Sequence, residues 1–103
     1  MSKLSTQPLE VKVIDDQVQL AGRVTVQNVE PLFKQLQPLV MQIKKVECSA
    51  LQQVDSSFLA LLLWWVAEKK QQGVAPALQL ISPPEFVKTL LQLYDLHNVI
   101  EVK

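Results

Sequence analysis

A single cysteine stands in this sequence, which excludes any internal disulfide. Cys48, with Val46 and Ala50 around it and no His or second Cys nearby, reads as a small core residue of a reducing compartment. The lone histidine, His97, sits in a Leu-His-Asn turn without partners at ligand spacing, so it reads as a surface turn residue and no metal is expected. Excess charge of either sign is missing too. Ten Lys and Arg balance ten Asp and Glu, without the clustered cations that neutralise phosphates, which argues against nucleic acid as a partner. The two basic pairs, Lys44-Lys45 and Lys69-Lys70, read as solvated helix ends.

With two glycines in the chain there is no Gly-rich phosphate loop, and no Ser-His-Asp set or paired-carboxylate pocket can be assembled. The expectation is a protein that is not an enzyme and takes no cofactor. Long hydrophobic runs are lacking as well: the longest, Phe58 to Ala67, falls far short of the ~20 residues that span a bilayer. Residues Met1 to Pro8 lack the apolar core of a signal peptide. A cytoplasmic protein is expected, touching a membrane only through a partner.

What the chain does have is apolar mass, 49% over 103 residues, enough for one packed domain, residues 1–103, and no second core. Leu9 to Val13 alternates apolar and polar, Asp15-Asp16 supplies turn chemistry, and Val18-Gln19-Leu20 alternates again, so a hairpin is predicted, ended by Gly22. Val29, Leu32, Phe33, Leu36, Leu39, Val40 and Ile43 follow at helical spacing. Thr25 and Asn28 are both competent N-caps for that helix, and Pro38 should end or kink it.

Val46 to Ala50 predicts a short central strand, and a second helix runs from about Ser57 to Gln72 with Gly73 closing it. Ala77 to Ile81 is a further strand. Ser82-Pro83-Pro84-Glu85 reads as a capping box opening a third helix, with Phe86, Val87, Leu90, Leu91 and Tyr94 inward and the Tyr94 hydroxyl at the rim. Val99 to Val102 adds a last short strand. Strand-helix-strand units favour right-handed crossovers and parallel pairing. The fold class is therefore α/β, a mixed central sheet made of an N-terminal hairpin plus parallel strands, packed with three to four helices.

The most informative stretch joins the central strand to the second helix: Val54-Asp55-Ser56-Ser57-Phe58-Leu59-Ala60-Leu61-Leu62. An acid and two hydroxyls at a helix start serve as caps in any protein, worth about 0.5–2 kcal/mol for the residue that bonds. The helix beyond is apolar on every side, so something must cover each face. At helical spacing Leu59, Leu63, Val66 and Ala67 gather on one side, and Phe58, Leu61, Leu62 and Trp65 on the other. Glu68, Lys69 and Gln72 fall on that second side and mark it as outward. Asp55, Ser56, Ser57, Phe58, Leu61, Leu62 and Trp65 are thus the expected partner-binding residues, with Trp64 as core-edge packing at the flank. An exposed Phe58/Trp65 face would also let the isolated chain self-associate, and replacing those two by serine should leave the fold intact.

These residues resemble the signature of STAS domains, in which a strand ends in Asp-Ser/Thr, followed by small residues and a Leu-rich helix. Gly22 with Pro31-Leu32-Phe33, Lys69 to Gly73, and Leu90-Leu91-Gln92-Leu93-Tyr94-Asp95-Leu96 extend the resemblance over nearly the whole chain. Within the superfamily it is most similar to the STAS subunit of the bacterial Mla phospholipid ABC transporter, which maintains outer-membrane lipid asymmetry. That resemblance implies a small regulatory or stabilising subunit bound to the transporter's ATPase, cytoplasmic and peripheral to the inner membrane through that partner. The alternative it implies is an anti-sigma-factor antagonist, switched by phosphorylation at the matched hydroxyl, Ser56. One departure bears on the choice: the family usually has Gly where Phe58 stands, so Phe58 is expected to plug into a partner and to disfavour the phospho-switch.

Overall fold

The computed structural model describes residues 9–73, 78–96 and 100–103. The His97 turn, and Ala77 and Val99 at the starts of two predicted strands, lie outside the described residues. The hairpin forms as the alternation requires, from β1 (Glu10–Ile14) and β2 (Gln17–Val24), with Asp15 at φ 55° opening its two-residue turn. Then come α1 (Val29–Leu36), a single 3-10 turn (Gln37–Leu39), β3 (Lys45–Val54), α2 (Ser56–Gln71), β4 (Gln79–Ile81), α3 (Glu85–Leu93) and β5 (Glu101–Val102). One mixed sheet holds all five strands in the order β1-β2-β3-β4-β5, antiparallel for the hairpin and parallel for the other three pairs. This is the expected α/β architecture, with three helices.

Gly22 does not end the hairpin. It sits inside β2 at φ 100°, where the β2–β3 register shifts. Eight residues of β2 lie against ten of β3, so β3 carries two extra residues, one opposite Gln19–Ala21 and one opposite Gly22–Arg23. Such bulges break the period-2 alternation. Inward side chains on β3 accordingly fall at Val46, Cys48 and Leu51, spaced two and then three. The broken alternation is why the sequence shows this strand only as far as Ala50. Cys48 is buried as expected, and burial, with the Glu47 charge second, pushes its thiol up to about 12.

Proline sets the helix boundaries. α1 stops before Pro38, whose ring lies in the 3-10 turn, and Val40 and Ile43 are buried beyond the helix rather than on it. The capping box before α3 does not form. A residue preceding proline is held out of the helical region, so Pro83 cannot open the helix, and Pro84 takes the N-cap position at ψ 162° with Ser82 at φ 52°. Val87 and Leu91 point inward from α3 with Leu90 half-buried, whereas Phe86 and Tyr94 are exposed. Tyr94 is already the C-cap, and Leu96 takes the buried place through a Schellman closure, its N–H donating to the Leu91 carbonyl at 2.8 Å and that of Asp95 to Gln92 at 3.1 Å.

The largest correction concerns α2. Phe58, Leu61, Leu62 and Trp65 are core residues, fully or almost fully buried, together with Leu59 and Val66. Leu63 is 45% exposed, and Ala60 and Ala67 face solvent. The face expected outward is therefore buried, and of the face expected inward Leu59 and Val66 are buried while Leu63 and Ala67 are exposed. Lys69 is the cause: its side chain is entirely buried, donating from Nζ to the Ile43 carbonyl, so it marks the inside of the helix. Lys45 opens β3, and neither it nor Lys69 is a solvated helix end. A fully buried Phe58 and Trp65 remove the basis for a serine-tolerant, self-associating face.

Candidate functional site

Asp55 caps α2 from an extended backbone (φ −125°, ψ −168°), and its carboxylate binds in two directions. Oδ1 accepts the Ser57 N–H at 2.9 Å and also the Ser57 hydroxyl. Oδ2 reaches 29 residues back along the chain to accept the Val26 N–H at 3.0 Å. The Asp55 N–H in turn donates to the Val24 carbonyl at 3.2 Å, continuing the sheet ladder to its end. Burial pushes the Asp55 carboxyl up, but the hydrogen bonds from the Ser57 hydroxyl and the Val26 and Ser57 amides outweigh it and hold the group below its ordinary value.

The loop from β2 to α1 is braced from its own side. Asn28 occupies the N-cap position of α1, yet its amide faces backwards. Oδ1 accepts the Thr25 N–H at 2.9 Å, and Nδ2 donates to the Arg23 carbonyl at 2.8 Å. Thr25 Oγ1 accepts the Gln27 N–H at 3.3 Å, so both expected capping residues act on the loop instead of the helix. Val26 stands at the tip of this loop, 73% exposed.

The two hydroxyls of the motif are not equivalent. Ser56 is the first residue of α2, exposed, and its hydroxyl has no partner among the described residues. Ser57 is half-buried, and its hydroxyl is held by Asp55. Beside Ser57 a groove of about 330 Å³ runs between α1 and α2, lined by Val29, Glu30, Phe33, Ser57, Ala60, Leu61 and Trp64. Its floor and walls are almost wholly apolar. Trp64 is half-buried, as expected for edge packing, and its ring meets Phe33 edge-on with centroids 4.6 Å apart. Glu30 at the rim pairs loosely with Lys34, both side chains largely in solvent.

Of the seven expected site residues, the structure brings Asp55, Ser56 and Ser57 together at an accessible mouth. Leu61 reaches the groove from below, and Phe58, Leu62 and Trp65 stay inside the core. Phe58 therefore neither plugs into a partner nor shields Ser56; a buried ring at this position fills the space under the first turn of α2. Sequence reasoning missed Val26, Val29, Phe33 and Ala60. The signal existed: Ser57, Ala60, Leu61 and Trp64 recur at i, i+3, i+4 and i+7, the stripe of one helix face. Among the described residues, no group of three or more His, Cys, Asp or Glu side chains is placed to hold a metal ion, and no helix is long and apolar enough to cross a membrane.

A mixed five-stranded sheet whose central strand delivers an Asp-Ser-Ser mouth onto a Leu-rich helix is the architecture of a STAS domain. The family model described as "Mlab, STAS domain" matches residues 9–101, and the chain belongs to that family. Solved structures agree on the fold. A Thermotoga maritima protein described as an anti-sigma factor antagonist superposes with a TM-score of 0.73 at 20% identity, over 91% of this chain and 84% of its own. The anti-sigma factor antagonist SpoIIAA in its unphosphorylated form gives 0.67 at 17% identity, over 93% of this chain and 88% of that one. The phosphorylated form of the Bacillus cell fate determinant SpoIIAA gives 0.65 at 16% identity, covering 93% and 91%. No curated protein matches the chain significantly.

Proposed function

We propose that this STAS domain is a non-catalytic subunit that binds the ATPase of an ABC transporter and regulates or stabilises it. The transporter would move phospholipid and so maintain outer-membrane lipid asymmetry, and the subunit would lie in the cytoplasm, against the inner membrane only through that ATPase. The observation that carries the docking role is the apolar groove between α1 and α2, which opens at Ser57, next in the chain to the exposed, unpartnered Ser56. Interfaces are built in this way, with an apolar centre that takes a partner's anchor and a polar rim that orients it. The choice of partner rests on the resemblance of the Asp55-Ser56-Ser57 motif and the Leu90 to Leu96 segment to the transporter's STAS subunit.

Ala60→Arg tests the reading without touching the core, because Ala60 is exposed and lines the groove. The parent chain should co-purify with the ATPase from the native cell. The variant, folded by circular dichroism, should bind the purified ATPase about tenfold or more weakly. Parent-like affinity would remove the groove from the interface, and failure of the parent to bind the ATPase would remove the partner.

A second reading has its own observation. An anti-sigma-factor antagonist switched by phosphorylation at Ser56 needs a reachable hydroxyl, and Ser56 Oγ is exposed and unpartnered while Phe58 stands clear of it. A partner kinase would transfer the terminal phosphoryl group of a nucleoside triphosphate to Oγ, releasing the nucleoside diphosphate, while a base of the kinase takes the hydroxyl proton. Mapping phosphate on the chain isolated from the cell separates the two readings, and Ser56→Ala and Ser57→Ala assign the acceptor.

A further inference from the structure

We infer that Asp55 is a positioning residue for the docking groove: its carboxylate couples the loop leading into α1 to the first turn of α2 and thereby sets the spacing of the two helices that frame the groove. This rests on the docking reading for its purpose, but not for its geometry. A residue needed only to cap α2 would spend its oxygens on the first turn. Asp55 spends Oδ1 there, on the Ser57 N–H and hydroxyl, and gives Oδ2 to Val26, on a different segment and 29 residues away. Three residues on from Val26, Val29 begins α1 and the groove wall, followed by Glu30 and Phe33. Ser57 itself begins the opposite wall, followed by Ala60, Leu61 and Trp64. One carboxylate thus fixes the entrances of both walls.

Few other ties join those entrances. The Asp55 N–H to Val24 carbonyl bond belongs to the sheet, and the Asn28 and Thr25 bonds act within the loop itself. The Phe33–Trp64 edge contact is the meeting of the walls farther along the groove. Losing the Val26 tie therefore frees the loop tip and lets the α1 entrance drift from α2, while cap and sheet persist. Coupling of this kind also makes the groove sensitive to whatever engages the mouth: a partner donor that draws Oδ2 away from Val26 alters the walls that hold its own apolar anchor.

The test uses the isolated chain, so its outcome is separate from that of the ATPase titration. Asp55→Asn keeps one acceptor for Ser57 and turns an amide N–H₂ toward the Val26 N–H, replacing an acceptor with a donor. Amide exchange at Val26 should rise about tenfold in this variant, and the Phe33–Trp64 ring-to-ring cross-relaxation should weaken, with the α2 amides beyond the first turn unchanged. Ser57→Ala, which leaves the Val26 tie in place, should leave Val26 exchange as in the parent. In the parent itself, acid titration should move the Val26 amide resonance together with the Asp55 carboxyl, a readout that needs no folded variant. A Val26 amide that ignores Asp55 in that titration, or exchange and ring contact unaltered in folded Asp55→Asn, would reduce Asp55 to a helix cap and overturn the inference.

Discussion

The two ends of α2 are tied to the rest of the chain by the same device, a side chain bonded to a distant backbone group, yet they are opposite in character. At the N-terminal end the tie is Asp55 to Val26, open to solvent, beside an exposed serine and an apolar groove. At the C-terminal end Trp65 Nε1 donates to the Val40 carbonyl at 3.2 Å and Lys69 Nζ to the Ile43 carbonyl, both from fully buried side chains. The neighbouring Lys44 and Lys45 amides close the same end by donating to the Asp16 carbonyl at 2.7 and 3.1 Å. One end is sealed and the other is available. The buried Trp65 and Lys69 side chains there each find a carbonyl, because an unmatched group inside costs far more than a matched one gains. Polar groups left over at the open end can be taken up by a partner.

The comparison is most sharply tested by the adjacent tryptophans. Trp65→Ala empties a fully buried site and orphans the Val40 carbonyl, so a loss of about 3–5 kcal/mol in urea unfolding is expected. Trp64→Ala, at the groove edge, should cost about 1–2 kcal/mol and act mainly on partner binding. Equal losses would erase the distinction between the two ends.

Next in size is Lys69→Met, which keeps the apolar stem and leaves the Ile43 carbonyl unpaired, for a loss of about 1–2 kcal/mol at neutral pH. Burial, reinforced by the Lys44 charge and opposed by Asp16, holds the Lys69 ammonium below its ordinary 10.5. Between the folded value and 10.5 the unfolded chain keeps a proton that the folded chain has released. Below the folded value the cost of holding the charge inside subtracts from what Lys69 contributes, and above 10.5 that cost is gone, so its contribution is full above 10.5 and reduced as pH falls through the folded value. The stability of the parent relative to Lys69→Met should rise with pH across that window, and a flat difference would show the lysine is not sealed in.

The smallest effect is expected at the hairpin turn of the sealed end. Asp15 holds φ 55°, a region that costs an L-residue and not glycine, and its only described tie, from Gln42 Nε2 at 2.8 Å, goes to a backbone carbonyl that glycine keeps. Asp15→Gly should raise stability by about 0.5 kcal/mol and leave binding at the mouth untouched. A fall in the unfolding midpoint would show that the aspartate side chain contributes more than its backbone strain removes.

The element order and the mouth were legible because each rests on local chemistry: alternation for the hairpin, Pro38 and Gly73 for helix ends, and an Asp-Ser-Ser cap at the start of α2. The phase of α2 was not legible, because apolar residues on every side leave no amphipathic vector to orient it. The tie was then broken by Lys69, read as surface when its stem and ammonium are both inside. Trp64 and Trp65 differ only in which side of that helix they occupy, so the error exchanged a groove wall for a core residue. Asp55 was legible as a cap but not as a link to Val26, since nothing local to either segment signals a contact across 29 residues.

Strand order in the sheet repeats strand order in the chain, β1 through β5. No strand waits for a later one to slot between it and its neighbour, so each new strand leaves the ribosome with its pairing edge already built. Growth of this kind needs only closures between successive elements, whose entropic cost rises slowly with length and whose short range favours rapid folding. The groove is made from α1 and α2 alone, and α2 ends at Gln71. Both of its walls therefore come from elements that precede β4, α3 and β5 in the chain, and the groove takes no lining residue from those last three elements.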